Sequence, residues 1–386
     1  MAQAIPFNLN LLEDDLSRFT GKGAAFVTFG ETMLRDTPVD EERLERTRQV
    51  WLSLAGSELS VAVLLSRLGI PATYITRLPD NPYGWMVRNV AREQGVNCDY
   101  FVWADKTEPI GRYLYEIGRT PRPSAGWYQR KYSAASKLGA GMVDWKSALQ
   151  GASVFHTTGI SFGLSAHSGY ERNYLLEAFQ EALSVLPSSC RVGMDFNYRS
   201  TLWSVAECQR VITPLLSEHV DILITTVVDL VRFFGLRCEQ LTSEMLEKGE
   251  EISLSDENLQ ALMQQAMNRF DLQVVALTMR HADSLESQRW ESAVLDSSGH
   301  FYRSPAPGEV VLWDRLGGGD AWTAGFYYGL LTEEDKAKAL QKGILVGDAA
   351  TRLKQTLMFD LPVITRQDIQ DLLRAYFEGS RRQVYR

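Results

Sequence analysis

The chain has 386 residues, 45% of them hydrophobic and 23% charged, with a formal net charge of −8. That length and balance describe a globular protein able to bury a large core, as one large domain with an appendage or as two domains. The acidic balance disfavours nucleic acid as a partner, and an anionic substrate would need a local cluster of arginines instead.

Residues 1–22 mix Leu11, Leu12 and Leu16 with Glu13, Asp14 and Asp15, without the basic start and apolar run of a signal peptide. No apolar stretch reaches the roughly 20 residues that span a bilayer. Cys98, Cys190, Cys208 and Cys238 stand far apart and read as core thiols of a reducing compartment, with no zinc pattern or disulfide framework. A cytoplasmic protein without membrane contact is expected.

In chain order, β-branched or aromatic runs predict strands at 25–29, 73–76, 154–158, 191–196, 221–225 and 273–278. Helical spacing of apolar residues predicts helices at 58–67, 81–94, 171–185 and 259–270. This alternation predicts an α/β fold with a mostly parallel sheet and helices on both faces. Residues 111–117 and 126–132 alternate apolar with polar side chains around the turn-rich 118–124, which predicts an antiparallel pair serving as a lid. The acidic segment 243–257 reads as a surface insertion, and the end of the chain as a solvated tail.

The densest chemistry lies in Asp314-Arg315-Leu316-Gly317-Gly318-Gly319-Asp320, three glycines and a carboxylate between a strand and a helix. Such a turn can bring bare N–H groups to a phosphate while the helix start near Asp320 aims its dipole at the same point. A carboxylate there would repel the anion unless it takes the proton from an attacking hydroxyl. Taken alone, the run serves equally as an ordinary turn with an N-capping aspartate. It matches neither the GxGxxG turn of dinucleotide-binding folds nor a P-loop, which disfavours a dinucleotide-dependent dehydrogenase. Among the histidines, His156 reads as a hydrogen-bonded structural residue on a buried strand, and His167, His219, His281 and His300 have no metal-ligand spacing.

The segment from Asp314 to Gly325 resembles the C-terminal signature of the ribokinase-like (PfkB) carbohydrate kinases, in the form of their 2-keto-3-deoxygluconate kinase branch. Further matches follow in order: Gly30-Glu31, the run from Arg77 to Gly84, Arg122-Pro123-Ser124, Tyr128-Gln129-Arg130, Thr158-Gly159-Ile160, and Asp195-Phe196-Asn197-Tyr198-Arg199 with Leu202-Trp203. The resemblance implies a three-layer ribokinase-like domain over 24–375, a discontinuous β lid at 35–55 and 108–134, an N-terminal extension at 1–23 and a C-terminal tail at 376–386. It implies ATP as donor, Mg²⁺ with its phosphates, and transfer of the γ-phosphoryl to a sugar hydroxyl. Carried over residue by residue, Asp320 becomes the general base and Gly317, Gly318 and Gly319 the anion hole. Arg130 and Arg199 become the holders of a sugar-acid carboxylate, a task that suits a planar guanidinium. Tyr113, Tyr128, Gly56, Ser57 and Ser60 complete the sugar side; Thr226, Thr278, Arg280 and Lys354 join Gly317 and Gly319 on the nucleotide side, with Asp229 acting indirectly on the metal.

The chain departs from the family pattern where Ser60 and Thr226 each replace an asparagine. The resulting expectation is an ATP-dependent kinase converting 2-keto-3-deoxygluconate to its 6-phosphate, as a homo-oligomer joined through the lid. The rivals are a family kinase of a neutral sugar or of another deoxy sugar acid, and a non-catalytic sugar-binding homologue.

Overall fold

Strands covered on both faces of a sheet read as unbroken apolar runs, and Phe26–Phe29 is buried at every position. In the computed structural model, which describes residues 12, 14–19, 23–241, 245, 253–282, 284–305 and 308–378, this strand lies inside a large sheet. Ala72–Ile75 pairs parallel with one edge of it and Val154–Thr158 with the other. Arg191–Asp195, Ile222–Thr225 and Val274–Ala282 then follow outward, all parallel. The antiparallel Ser287–Asp296, Phe301–Arg303 and Val310–Val311 complete that side. Alternation along the strand sorts the core into two layers: Val27 and Phe29 face one with Phe155 and Phe179, while Phe26 faces the other with Tyr74, Trp322 and Phe326.

The expected α/β architecture is present, with differences at element ends. The strand expected at 273–278 runs on to Ala282, because pairing with Ser287–Asp296 extends the ladder. The helix expected at 171–185 is Tyr174–Ser184, starting where the Asn173 side chain accepts the Leu176 N–H. It is preceded by a separate helix, Gly159–His167, which apolar spacing does not reveal. The helix expected at 259–270 begins at Asp256, capped by Ser255, so the last residues of the expected 243–257 insertion form its first turn. Residues 243–244 and 246–252 of that segment lie outside the described residues. The C-terminal tail expected at 376–386 is likewise corrected, since Arg366–Glu378 is helical through Glu378. Residues of the expected N-terminal extension are docked: Asp14 pairs with Lys342 at 2.5 Å, and Leu12 is buried.

The lid holds more than the expected antiparallel pair. Val50–Ala55, Met33–Pro38, Gly111–Glu116 and Ala125–Gln129 form one sheet in that order, with Met33–Pro38 and Gly111–Glu116 running parallel. A hairpin reading misses the parallel contact because its two strands lie far apart in the chain.

Cys190 and Cys208 are buried as expected, but Cys98 and Cys238 are half-buried; all four are free thiols. His156 is buried with Nδ1 3.0 Å from the Tyr327 hydroxyl, and burial pushes its pKa down to about 3, which keeps it neutral. Among the described residues, no helix is long and apolar enough to cross a membrane.

Candidate active site

The glycine turn is shaped from behind. Gly317 caps the helix Gly318–Thr332 with φ +77°, and a Cβ there would stand 2.2 Å from the Asp360 carbonyl oxygen, so only glycine fits. Asp314 braces both sides, accepting the Leu316 N–H on Oδ1 and the Phe359 N–H on Oδ2, each at 3.1 Å. The first bond of the helix runs from the Ala321 N–H to the Gly317 carbonyl, so the N–H groups of Gly318, Gly319 and Asp320 precede it at the positive dipole end, and all three residues line the cleft.

Asp320 sits in that first turn. Its Oδ1 accepts the Ser57 hydroxyl at 2.5 Å, and Asn197 Nδ2 donates to the same Ser57 oxygen at 3.3 Å. Ser57 comes from the start of Ser57–Arg67, directly after the lid strand, and Asn197 follows the core strand Arg191–Asp195. Burial raises the Asp320 pKa, opposed by the Ser57 hydrogen bond and the charge of Arg199. The result is a more basic carboxylate held in one orientation.

A cleft of about 790 Å³ opens in front of the turn at the C-terminal ends of the core strands. It gathers Arg199, Thr226, Asp229, Thr278, Arg280, Gly317, Gly318, Gly319 and Asp320. Asp195 also lines it, and burial, with Asp320 and Asp229 nearby, pushes its carboxyl up to about 8. Thr226 caps Val227–Arg232 and donates its hydroxyl to Asp229 Oδ2 at 2.8 Å while accepting the Asp229 N–H. Threonine in place of the family's asparagine thus closes a local Thr-x-x-Asp cap.

Arg199, Arg280 and Arg315 stand together on the cleft wall. Arg199 donates to the Tyr198 carbonyl and Arg315 to that of Leu285, both at 3.0 Å, and among the described residues none of the three has a carboxylate within 4.0 Å. Burial and then the charges of Arg315 and Arg199 lower the Arg280 pKa. Three guanidiniums crowded together with no carboxylate beside them among the described residues suit a polyanion. The residues fit a nucleotide triphosphate. Among the described residues no three His, Cys, Asp or Glu side chains form a metal cluster.

The lid-side residues do not line this cleft. Gly56 precedes the Ser57 helix as its cap, and Ser60 is fully buried with no hydrogen-bond partner for its hydroxyl oxygen among the described residues. Tyr113 is buried with its hydroxyl donating to Asp360 at 2.7 Å, and the exposed Tyr128 stacks on it with centroids 5.3 Å apart. Arg130 differs from the expected free guanidinium: Nε and Nη2 bind Glu31 at 2.7 and 2.5 Å, leaving Nη1 outside that pair. Lys354 is fully buried behind the turn, its Nζ donating to the Leu357 carbonyl at 3.4 Å. It is not among the residues that line the cleft, unlike the expected nucleotide-side residues Thr226, Thr278 and Arg280.

Several residues of the site are not singled out by sequence. Asp195, Asn197 and Arg315 lie inside motifs already noted, and their position at a strand end or beside the glycines was the available signal. Glu31 stands next to a noted glycine. Arg35 and Asp360, which meet behind the turn, carry no local signal.

A model of a family described as pfkB family carbohydrate kinase matches residues 24–362. The 2-dehydro-3-deoxygalactonokinase of Haloferax volcanii is 30% identical over 351 residues, 91% of this chain and 97% of that protein. The crystal structure of a 2-dehydro-3-deoxygluconokinase from Thermotoga maritima is similar with a TM-score of 0.79 and 31% identity, covering 91% of this chain and 99% of that one. A putative ribokinase II of E. coli in complex with ATP and Mg²⁺ shares the fold at a TM-score of 0.69 and 15% identity, covering 92% of this chain and 100% of that one. With the fold and glycine turn described above, these matches identify the chain as a member of the PfkB family of carbohydrate kinases.

Proposed function

We propose that this carbohydrate kinase transfers the γ-phosphoryl of ATP to the primary hydroxyl of a six-carbon 2-keto-3-deoxy sugar acid, with 2-keto-3-deoxygluconate as the substrate. The observation that carries the reading is the Asp320 carboxylate, held by Ser57 at the Gly317–Gly319 turn in a cleft that Arg199, Arg280 and Arg315 also line. The two similar kinases named for 2-dehydro-3-deoxy sugar acids support the substrate class.

Asp320 takes the proton from the attacking hydroxyl, and its raised pKa strengthens it as a base. The N–H groups of Gly318 and Gly319 receive charge developing on the transferred phosphoryl, while Arg280 and Arg315 hold the remaining phosphates. Asp195 and Asp229 are the carboxylates that would hold a Mg²⁺ ion brought in with ATP, which would supply further neutralisation of the phosphate charge. Arg199 and the Arg130 nitrogen outside the Glu31 pair receive the sugar-acid carboxylate. The exposed lid residues Trp51 and Trp127 support assembly as a homo-oligomer through the lid, and the four free cysteines suit the cytoplasm.

The test is ATP turnover over a panel of neutral sugars and sugar acids, repeated with Arg199→Ala. The expected outcome is turnover of 2-keto-3-deoxy acids, with the variant losing at least tenfold in kcat/KM for the acid, about the 1.4 kcal/mol of one charged contact. Turnover of a neutral sugar alone would overturn the substrate class. Sugar-acid binding without turnover would favour the non-catalytic homologue.

A further inference from the structure

Arg35 lies inside the lid strand Met33–Pro38 and is wholly buried. Its Nε donates to Thr37 Oγ1 at 2.8 Å and its Nη1 to Asp360 Oδ1 at 2.7 Å. Its Nη2 stands 2.6 Å from Asp314 Oδ2, an ion pair rather than an aligned hydrogen bond. The Tyr115 ring lies 4.5 Å and the Phe359 ring 5.7 Å from the guanidinium carbon. One lid side chain therefore grips the two aspartates that shape the phosphate turn. Asp314 holds the N–H groups on either side, and the carbonyl of Asp360 occupies the space that Gly317 leaves.

The same Asp360 oxygen accepts the Tyr113 hydroxyl, and Tyr113 carries the stacked Tyr128 at the sugar side. A change in lid position thus pulls on Asp314 and Asp360 together, and through them on the turn. Stability alone explains this cluster poorly. Burying a guanidinium and two carboxylates carries a desolvation penalty that an apolar replacement avoids, so a buried ion cluster is weak support for folding.

We propose that Arg35 is a positioning residue coupling the seat of the lid to the shape of the phosphate-binding turn, so that sugar and nucleotide strengthen each other's binding. This rests on the kinase reading above. The coupling is reciprocal: whatever factor the nucleotide adds to sugar affinity, the sugar adds to nucleotide affinity.

Calorimetry on the full-length enzyme tests it, using whichever sugar the panel turns over, with and without a non-hydrolysable Mg–ATP analogue. In the wild type the analogue is expected to tighten sugar binding by at least about fivefold, the low end of allosteric couplings. Arg35→Lys keeps the charge, but its single ammonium cannot fork to both aspartates. It is expected to reduce the coupling to about one and kcat by at least about tenfold, with each ligand's separate affinity within about threefold. Absence of coupling in the wild type overturns the proposal. So does a Lys variant that keeps coupling and kcat and loses only melting temperature. If Arg35→Lys does not fold, Asp360→Asn keeps the shape and leaves Asp314 to balance Arg35, with the same two outcomes deciding.

A second readout needs no sugar. The Mg–ATP analogue alone is expected to slow amide exchange in Met33–Pro38 of the wild type, and an unchanged rate there counts against the coupling. A failed panel with slowed exchange therefore removes the substrate reading and leaves the lid linkage standing.

Discussion

Asp320 and Asp195 share one cleft and are driven the same way by burial, yet they have different work. Asp320 is tethered by Ser57 and faces the turn, so its loss should remove the chemistry and spare binding. Asp320→Asn is expected to lower kcat by about 10²–10⁴, the range of general acid–base catalysis, with sugar affinity within about threefold by calorimetry. A variant with kcat near the wild-type value would remove Asp320 from the role of base. Asp195 accepts the Asn197 N–H on Oδ1 at 3.2 Å, and burial pushes its carboxyl up to about 8 against an ordinary 3.8. Between those values the folded chain holds a proton that the unfolded chain has released, so stability falls as pH rises through that window. Thermal melts from pH 5 to pH 8 should show that decline in the ligand-free enzyme, and Asp195→Asn should flatten it; an unchanged slope in the variant would assign the decline elsewhere. Asp320 lies in a contiguous run and was legible in the sequence. The pressure on Asp195 was not, because it comes from burial, and then from Asp320 and Asp229 folded nearby.

At the scale of elements, the helix Gly318–Thr332, which carries Asp320, is held by the helix Lys336–Gln355 through glycines facing glycines. A Cβ on Gly329 would stand 2.2 Å from the Gly343 nitrogen, and one on Gly325 2.6 Å from the Gly347 nitrogen. These glycines are required by close approach rather than by backbone angle. Gly329→Ala is therefore expected to destabilise the fold by about 1–3 kcal/mol, as overpacking does. Because Gly329 lies at the far end of the helix from Asp320, kcat measured well below the melting temperature should stay within about threefold. A melt unchanged from wild type would mean that the helices can part without cost. Caps fix helix starts that apolar spacing leaves loose: Asn81 starts Pro82–Glu93 one residue inside the expected 81–94, and Ser255 starts Asp256–Phe270 three residues before the expected 259. Helix Gly159–His167 was hidden because it is apolar nearly all round and shows no amphipathic stripe.

At the scale of the molecule, the lid is the unfinished part. Its outer strand leaves Val50, Trp51 and Leu52 exposed, and the opposite edge leaves Trp127 exposed at 50%. Apolar side chains on two open sheet edges suit pairing with a second copy. Sedimentation at micromolar concentration should give a mass above that of one chain, and Trp51→Glu should return it to one chain. A wild-type monomer at that concentration would end the lid-oligomer reading.

By itself the sequence determined what short-range patterns can carry: the α/β alternation, the glycine turn with Asp320, and an acidic chain whose arginines had to cluster to bind an anion. Each depends on residues a few positions apart, where spacing and backbone angles dictate the outcome. The tertiary structure alone decided which charges meet. It committed Arg130 to Glu31, set Lys354 behind the turn, brought Arg315 beside Arg199 and Arg280, and joined Arg35 to Asp360 across 325 positions. The physical reason is that an ion pair depends on distance in space and on exclusion of water, and neither is written in the order of the residues.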